Sequence, residues 1–378
     1  MEESNNKDNN KIFFIIFMIV WVSVILLNIF LPVDEFSSQE NRYLATFPSF
    51  SFEKLVSGEY TANLDEYLND HFSIRNLLIK IDSLKEQLIL KTENKEIYIG
   101  EDGNLFEKFK YSEENKQNVE YITNKVNELS KQINKDMYFV IIPNSTYINQ
   151  NDLPKYAHVE NQEQIISDTY KKMPNIKTID VVNKLKANND EYIFFKTDHH
   201  FTSLGAYYVY EEICKEMNIE YPKLNEFNVI KVSSSFLGTY DSKVQIINQQ
   251  TDDIYVYEND LNTKGIIAEY DGNITNSIYN EKYLQEKDKY SYFLNSNNAK
   301  VVIKTANTNG KKLLVIKDSY AHIMAQFLVQ NFEEVHLIDP RYYRAPISEY
   351  IEKNDIDDVL FLYSISNLST DLGLRTIK

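Results

Sequence analysis

The segment KTDHHFTSLGAYY, residues 196–208, holds an acid and two imidazoles in consecutive positions, Asp198, His199 and His200. The chain has only six histidines in 378 residues, and two of them lie here. Alternate side chains of an extended segment share a face, so Asp198 and His200 are predicted to point together and His199 away from them. A carboxylate that accepts from one ring nitrogen leaves the other free to take a proton from a serine. The pair is therefore predicted to be a base and its orienting acid.

Two other interpretations of this segment remain open. A metal site would need more ligands, but adjacent histidines on an extended segment diverge, and no further Cys or His cluster completes a set. The histidines could instead cap a helix that is predicted to begin near Thr202 or Ser203. We expect neither a metal nor a cofactor.

The C-terminal third of the chain is the most regular part of the sequence. Short apolar runs over 312–316, 334–339 and 357–363 read as buried strands, with helical patterns over 319–332 and 347–354 between them. A further apolar run, 137–143, also predicts a buried strand. Strands that alternate with amphipathic helices predict an α/β fold with a parallel sheet covered on both faces. Ligands of such sheets bind at the carboxyl ends of the strands.

Ser319 lies at one of these carboxyl ends, in the predicted turn from strand 312–316 to the next helix. Unpaired N–H groups and the positive end of the helix dipole at such a turn stabilise a developing oxyanion. A serine there is placed like the nucleophile of a strand-turn-helix elbow. Serine is also a favoured helix cap, which is the plainer interpretation of this residue taken alone.

The N-terminal region predicts a membrane anchor. Residues 12–31 contain no charged side chain, and a helix of twenty residues spans about 30 Å, the thickness of one bilayer core. A cleaved signal peptide would have a shorter apolar core and a small-residue cleavage site. Lys7 and Lys11 precede this stretch and the nearest base after it is Arg42, which favours a cytoplasmic tail and an extracytoplasmic main part.

The predicted organisation is a tail over 1–11, an anchor over 12–32, a region over 33–110 and a main domain over 111–378. The region 33–110 is predicted to hold a linker, a helical hairpin and a β-hairpin packed on the main domain, and a strand-rich insertion is expected at about 223–310. The net charge of -16 and the absence of a basic cluster exclude nucleic-acid binding. A single cysteine excludes an intrachain disulfide.

Four motifs occur in order along the chain: TDHHFTSLGAYYVYEEI, LLVIKDSYAHIMAQFL, IDPRYY and VLFLYSISNL. They resemble the DHHW-motif proteins, membrane-anchored bacterial proteins of the SGNH-hydrolase-like superfamily, and are similar to the catalytic domains of the alginate O-acetyltransferase family. The resemblance implies a three-layer, flavodoxin-like SGNH-hydrolase fold with a circularly permuted motif order, because the Asp-His block precedes the serine. It implies Ser319 as nucleophile, His200 as base and Asp198 as its orienting acid.

The resemblance also implies an oxyanion hole. The SISN motif lies where the superfamily places an oxyanion-hole asparagine, which implies Asn367 or Ser364 as a donor. The PRYYR motif lies where the superfamily has a glycine, and the amide of Arg341 is predicted to replace the missing one. Two positions depart from the family pattern: Phe201 stands where the family has tryptophan, and Lys317 stands where Gly-Asp-Ser would begin.

The function that the resemblance implies is acetyl transfer outside the membrane to a cell-surface or secreted polysaccharide, with a multi-spanning membrane-bound O-acyltransferase as the acetyl donor. A carbohydrate or peptidoglycan esterase would use the same triad, and a scaffold that binds polysaccharide or an assembly partner without catalysis is a third possibility. The candidates for contact with substrate are His199, Phe201, Asn144, Tyr147, Tyr320 and Tyr342. For the tyrosines among them, packing in the core is the alternative role.

Overall fold

The computed structural model of the protein describes residues 2–30, 33–37 and 39–377. The chain divides into two compact units. The small unit comprises residues 1–91 and 244–248, and the large unit comprises residues 92–243 and 249–378. The division falls at residue 91 because the β-hairpin near residue 100 belongs to the large unit, whereas the sequence grouped that hairpin with the region before it.

The small unit is mainly helical. Its elements are α1 (Glu2–Phe30), β1 (Phe36–Ser37), β2 (Arg42–Tyr43), α2 (Phe52–Ser57), α3 (Glu59–Asp70) and α4 (Arg75–Leu88). The predicted helical hairpin is thus three helices, because Gly58, with a φ of +82°, ends α2 in the left-handed region that favours glycine. Within α1 the stretch Lys11–Asn28 is long and apolar enough to cross a membrane, while residues 31 and 32 of the predicted anchor lie outside the described residues.

The helices and strands after residue 92 alternate along most of the chain. The strands are β3 (Glu93–Asn94), β4 (Ile97–Ile99), β5 (Leu105–Glu107), β6 (Asp136–Ile142), β7 (Lys177–Ile179), β8 (Asn228–Phe236), β9 (Asp252–Glu258), β10 (Ile267–Tyr270), β11 (Asn273–Thr275), β12 (Lys300–Lys304), β13 (Lys312–Lys317), β14 (Glu334–Ile338) and β15 (Asp358–Ser364). The helices are α5 (Glu113–Gln132), α6 (Ser145–Ile148), α7 (Gln162–Tyr170), α8 (Val182–Lys186), α9 (Ser203–Met217), α10 (Thr239–Val244), α11 (Asp260–Thr263), α12 (Ala321–Leu328), α13 (Ile347–Lys353) and α14 (Ile365–Thr370).

An eight-stranded sheet forms the core of the large unit, in the order β11-β10-β12-β14-β13-β15-β6-β7. The five strands from β14 to β7 are parallel, which confirms the predicted mixed α/β fold with a largely parallel sheet. Every position of β13 from Leu313 to Lys317 is buried, and successive side chains of a strand point to opposite faces, so both faces of the sheet are covered. At the centre Phe361 of β15 lies opposite Phe139 of β6, and their rings stack at 5.3 Å.

The region 223–310 is more than an insertion. Strands β10, β11 and β12 extend the main sheet by antiparallel pairing, with β12 bonded to β14. Strands β8 and β9 form a separate antiparallel pair. The segments of this region that connect these strands reach the carboxyl ends of the parallel strands, where they contribute to the site described next.

Candidate active site

A continuous series of hydrogen bonds joins Asp198, His200 and Ser319. The Nδ1 atom of His200 lies 2.5 Å from Oδ1 of Asp198, and its Nε2 atom lies 2.7 Å from the Ser319 hydroxyl oxygen. A carboxylate only accepts, so Nδ1 carries the proton and Nε2 is left to accept from the serine hydroxyl. Asp198 and His200 are buried and Ser319 is half-buried at the end of β13. The geometry is that of a nucleophile, a base and an orienting acid.

Asp198 is fixed by donors on both of its oxygens. Its Oδ1 accepts from the backbone N–H of His200 at 3.0 Å, and its Oδ2 accepts from the N–H and the hydroxyl of Thr239 at 2.8 and 3.0 Å. Burial alone would raise the pKa of this carboxyl, but the proximity of His199 and His200 and these hydrogen bonds lower it well below its usual range. A Cβ atom at Gly238 would overlap the Asp198 side chain, so this approach requires glycine.

The His200 ring is held between two other rings. Tyr290 stacks on it at 3.7 Å with an interplanar angle of 8°, and His199 lies over it at 3.8 Å and 37°. The Tyr290 hydroxyl donates to the backbone carbonyl of Ser319 at 2.9 Å. Tyr290 is therefore in contact with both the base and the nucleophile's turn, although it precedes Ser319 by 29 residues.

The prediction that His199 points away is wrong. Residues 197–200 form a bend and not an extended strand, so ligand-type atoms of Asp198, His199 and His200 lie within 4.8 Å of one another. The Nδ1 atom of His199 hydrogen-bonds the Thr239 hydroxyl at 2.7 Å. Burial and the nearby His200 lower the pKa of His199 to about 4, so its ring is neutral at pH 7. The residue that caps α9 is Thr202 and not a histidine, because the Thr202 hydroxyl accepts from the Gly205 N–H at the start of that helix.

The turn that carries Ser319 is held by Asp318. Its Oδ1 accepts from the Tyr320 N–H at 2.9 Å, and its Oδ2 accepts from the Ser364 N–H, the Ser364 hydroxyl and the Asn367 side-chain amide, each at 2.8 Å. Asp318 thus ties the end of β13 to the end of β15. Helix α12 begins at Ala321, two residues later than the predicted start, so Ser319 lies in the turn itself.

The predicted oxyanion donors are occupied to different degrees. The Ser364 hydroxyl is engaged by Asp318 and caps α14 by accepting from the Asn367 N–H at 3.2 Å. Asn367 uses one of its two side-chain N–H groups on Asp318. The backbone N–H of Ser319 makes no hydrogen bond within residues 39–377. The second side-chain N–H of Asn367 and the Ser319 N–H therefore have no protein acceptor within these residues.

Arg341 does not offer a free amide. Its backbone N–H donates to Oδ1 of Asp339 at 3.1 Å, and its guanidinium holds the same carboxylate through Nε and Nη2 at 2.8 and 2.6 Å. The predicted replacement for the missing glycine amide is thus already committed. Its guanidinium instead holds the Asp339 carboxylate in place.

Lys317 points into the protein and not toward substrate. It is 1 % exposed, and its Nζ lies 3.3 Å from Asp339 Oδ2 and 2.8 Å from His322 Nε2. Burial lowers the pKa of Lys317, although the Asp339 carboxylate acts to raise it. Burial, with Lys317 nearby, lowers the pKa of His322 well below its usual value, so the neutral His322 ring can accept from the ammonium. This buried network of Lys317, His322 and Asp339 supports the end of β13 that leads into Ser319.

The aromatic candidates for substrate contact divide by burial. Tyr320 and Phe201 are buried and pack edge to face at 4.9 Å, and the Tyr320 hydroxyl donates to the His199 carbonyl. Tyr147 is 7 % exposed, with its hydroxyl donating to Glu163 at 3.1 Å. These three are core residues as the structure has them. Tyr342, 52 % exposed, remains available for contact with a ligand.

Asn144 is buried at the end of β6, where its side-chain amide donates to Glu107 Oε2 at 3.0 Å and to the Ser366 hydroxyl at 2.9 Å. Ser366 also donates to the same Glu107 oxygen at 2.7 Å. Asn144 therefore links β6 to α14 at the carboxyl edge of the sheet, and both of its side-chain N–H groups donate to protein partners.

Sequence reasoning missed the contribution of Gly238, Thr239 and Tyr290. All three belong to the region 223–310, which shows no motif in the sequence. Gly238 gives a weak local signal, because glycine is rare in this chain, which has nine in 378 residues. Tyr290 is one of 28 tyrosines, and no local pattern distinguishes it from the rest.

The sequence profile of the DHHW protein family matches residues 91–338. Among solved structures, a DHHW family protein from Eubacterium siraeum superposes with a TM-score of 0.66 at 23 % identity, covering 75 % of this chain and 96 % of that one. Bacillus cereus PatB1 with a sulfonyl adduct gives 0.63 at 25 % identity, covering 75 % and 98 %. The O-acetyltransferase domain of Pseudomonas putida AlgJ gives 0.47 at 12 % identity, covering 73 % and 92 %. No curated protein shows significant sequence similarity to the chain.

Proposed function

Because the chain belongs to the DHHW protein family, we propose that it is a serine acyltransferase that moves an acetyl group onto a polysaccharide hydroxyl through an acetyl-serine intermediate. The observation that carries the proposal is the hydrogen-bonded series from Asp198 through His200 to Ser319. The motif resemblance to the alginate O-acetyltransferase family supports acetyl as the group transferred. The reversed order of the Asp-His block and the serine is interpreted, within this proposal, as a circular permutation.

In the first half-reaction Ser319 Oγ attacks the carbonyl carbon of an acetyl donor while His200 Nε2 takes the hydroxyl proton. Asp198 keeps the Nδ1 proton in place and stabilises the imidazolium that forms. The Ser319 N–H and Asn367 stabilise the oxyanion of the tetrahedral intermediate. When the intermediate collapses, the leaving group takes the proton from His200, and the acetyl group stays on the serine as an ester.

In the second half-reaction a sugar hydroxyl gives its proton to His200 and attacks the acetyl-serine carbonyl. The second tetrahedral intermediate releases the acetylated sugar, and Ser319 recovers its proton from His200. The chemistry consumes one acetyl ester and makes another, so it needs no metal or redox partner. Tyr342, exposed near the end of β14, is the candidate surface for the polymer.

The cellular setting is part of the same proposal. Helix α1 holds the chain in the cell membrane as a single span, with the tail cytoplasmic and the large unit outside. A membrane-bound O-acyltransferase then supplies the acetyl group across the membrane, because cytoplasmic acetyl-coenzyme A cannot reach an external serine.

The test is covalent trapping in the full chain purified in detergent. Incubation with an activated acetyl ester should add one acetyl group to the peptide that contains Ser319, as read by mass spectrometry. Sulfonyl fluorides react with activated nucleophiles, and PatB1 forms a sulfonyl adduct, so such a reagent should label the same serine. Ser319→Ala should abolish both labels, and His200→Ala should slow them strongly. A folded wild-type chain that never labels would refute the proposal.

The esterase alternative is separated by the acceptor. An acetylated chain that loses its label to water as fast as to added oligosaccharide acts as a hydrolase. A label that persists in buffer and moves to an oligosaccharide hydroxyl identifies a transferase.

A further inference from the structure

Helix α4 exposes several large apolar side chains, while the residue that it buries is a polar serine. Leu77, Ile81, Leu84 and Leu88 are between 41 and 73 % exposed. Ser83, on the opposite side, is buried and donates its hydroxyl hydrogen to the Gln245 carbonyl at 2.8 Å. A surface helix of a water-soluble protein has the reverse arrangement, with its apolar stripe facing the core.

The outward residues form one continuous stripe. Positions 77, 81, 84 and 88 follow the i, i+4, i+7, i+11 spacing, which places them on a single face about 17 Å long at 1.5 Å per residue. Lys80 and Lys85 lie on either side of this face and are exposed. Basic residues beside a leucine-rich face are typical of helices that lie in the plane of a membrane surface. Contiguous exposed apolar surface of this kind marks an interaction site.

The start of α4 is attached to the end of the candidate membrane span. The Asn28 side chain donates to the Ser73 hydroxyl at 3.1 Å and accepts from the Ser73 backbone N–H at 3.0 Å. Asn28 is the last residue of the apolar stretch in α1, and Ser73 lies two residues before α4 begins. The first turn of α4 is therefore tied to the level at which a spanning α1 would leave the bilayer.

We propose that the stripe of α4 lies in the headgroup region of the bilayer that α1 crosses, with Lys80 and Lys85 near the lipid phosphates. The inference rests on the proposed membrane anchoring and goes beyond the acyl-transfer chemistry. It explains why a helix so close to the span exposes leucines: water is replaced there by lipid. A second contact with the membrane also limits how the small unit can tilt about α1.

Site-specific fluorescence in vesicles tests this docking. Burial raises the pKa of the only native thiol, Cys214, to about 12, so an added surface cysteine can be labelled selectively. The full-chain variants Ile81→Cys and Asp82→Cys place the same polarity-sensitive dye on the stripe and on the exposed position next to it. The vesicles contain phosphatidylcholine and phosphatidylglycerol, with or without nitroxide-labelled lipid, and flotation shows that the chain is inserted.

The expected result is a blue-shifted emission at position 81, with quenching by nitroxide lipid at least threefold stronger than at position 82 and quenching by aqueous iodide correspondingly weaker. Leu84→Cys should repeat the behaviour of position 81. Equal iodide quenching at 81 and 82 would overturn the proposal, as would a chain that does not float with the vesicles. Protection from both quenchers would overturn it too, because protein would then cover the stripe. Acetyl labelling of Ser319 in the same samples reports separately on the proposed function.

Discussion

Replacing Asp198 by asparagine is expected to disable the base through a conflict that the hydrogen bonds define. The backbone N–H groups of His200 and Thr239 point at different oxygens of this carboxylate, at 3.0 and 2.8 Å. An asparagine has only one acceptor oxygen, so its NH2 group must face one of the two N–H donors. If its oxygen stays with Thr239, the NH2 group faces His200 Nδ1, and the ring proton moves to Nε2. The ring then donates to Ser319 and can no longer take its proton.

Two magnitudes follow. Loss of the correct imidazole tautomer in a Ser-His-Asp triad lowers kcat by about 10,000-fold, which corresponds to about 5.5 kcal/mol of transition-state stabilisation. One buried N–H left facing a donor costs roughly 1–3 kcal/mol of unfolding free energy. The first effect should dominate the phenotype, because a protein with an ordinary margin of 5–15 kcal/mol remains folded after the second.

Asp252 provides a matched control. Its two oxygens accept from the backbone N–H groups of Lys196 and Thr197, each at 2.8 Å, so Asp252→Asn creates the same kind of conflict without facing the base. The assay is the initial rate of Ser319 acetylation by an activated acetyl ester, together with urea unfolding of each variant. Asp198→Asn and Asp252→Asn should lose comparable stability, and only Asp198→Asn should lose the acetylation rate by more than about 1,000-fold. An Asp198→Asn variant that retains a tenth of the wild-type rate would refute the role of Asp198 as the acid that orients His200.

Three further changes probe the surroundings of the relay. Gly238→Ala should displace Asp198 and reduce the acetylation rate about 100-fold with a much smaller change in the unfolding free energy, and a wild-type rate would contradict the close approach. Tyr290→Leu should slow acetylation roughly three- to tenfold through loss of the ring stacked on His200, while Tyr290→Phe keeps the ring and should be milder; equal effects would argue against stacking. The pKa of His322 in the folded chain lies well below its usual value, so the unfolded chain binds a proton on this residue at a higher pH than the folded chain does. The free energy of unfolding should therefore fall as the pH drops through about 6.5. His322→Gln should flatten the dependence of the urea midpoint between pH 7.5 and 5.5, and an unchanged slope would exclude this histidine as a source.

Much of the large unit could be predicted because its signals are local. The run at 137–143 is apolar throughout, as a strand buried on both faces requires, and the structure has β6 there. Helix α5 also begins at a local signal, because Ser112 and Asn115 form a capping box at its first turn. Ser319 could be located for the same reason, because a strand end followed by a helix is recognisable from residues within one turn of it.

The parts that failed depend on contacts between distant segments. His199 was expected to diverge from His200, but a bend brings the two rings to 3.8 Å, and only the packing around the bend decides that shape. Tyr290 meets His200 across 90 residues of chain, and no periodicity encodes such a meeting. The sequence places the Arg341 amide at the correct edge of the sheet. It does not predict that this amide donates to Asp339, because that depends on the exact positions of the two groups in the folded chain.

The strand order of the main sheet has a consequence for how the protein is made. Strand β6 lies between β15 and β7, and its longer pairing is with β15, from Asp358 opposite Asp136 to Ser364 opposite Ile142. These partners lie more than two hundred residues apart in the chain, so the hydrophobic β6 emerges from the ribosome long before the strand that covers it. Chains with such distant central pairings fold slowly and expose aggregation-prone edges meanwhile. During translation one edge of β6 therefore stays unpaired until β15 has been synthesised.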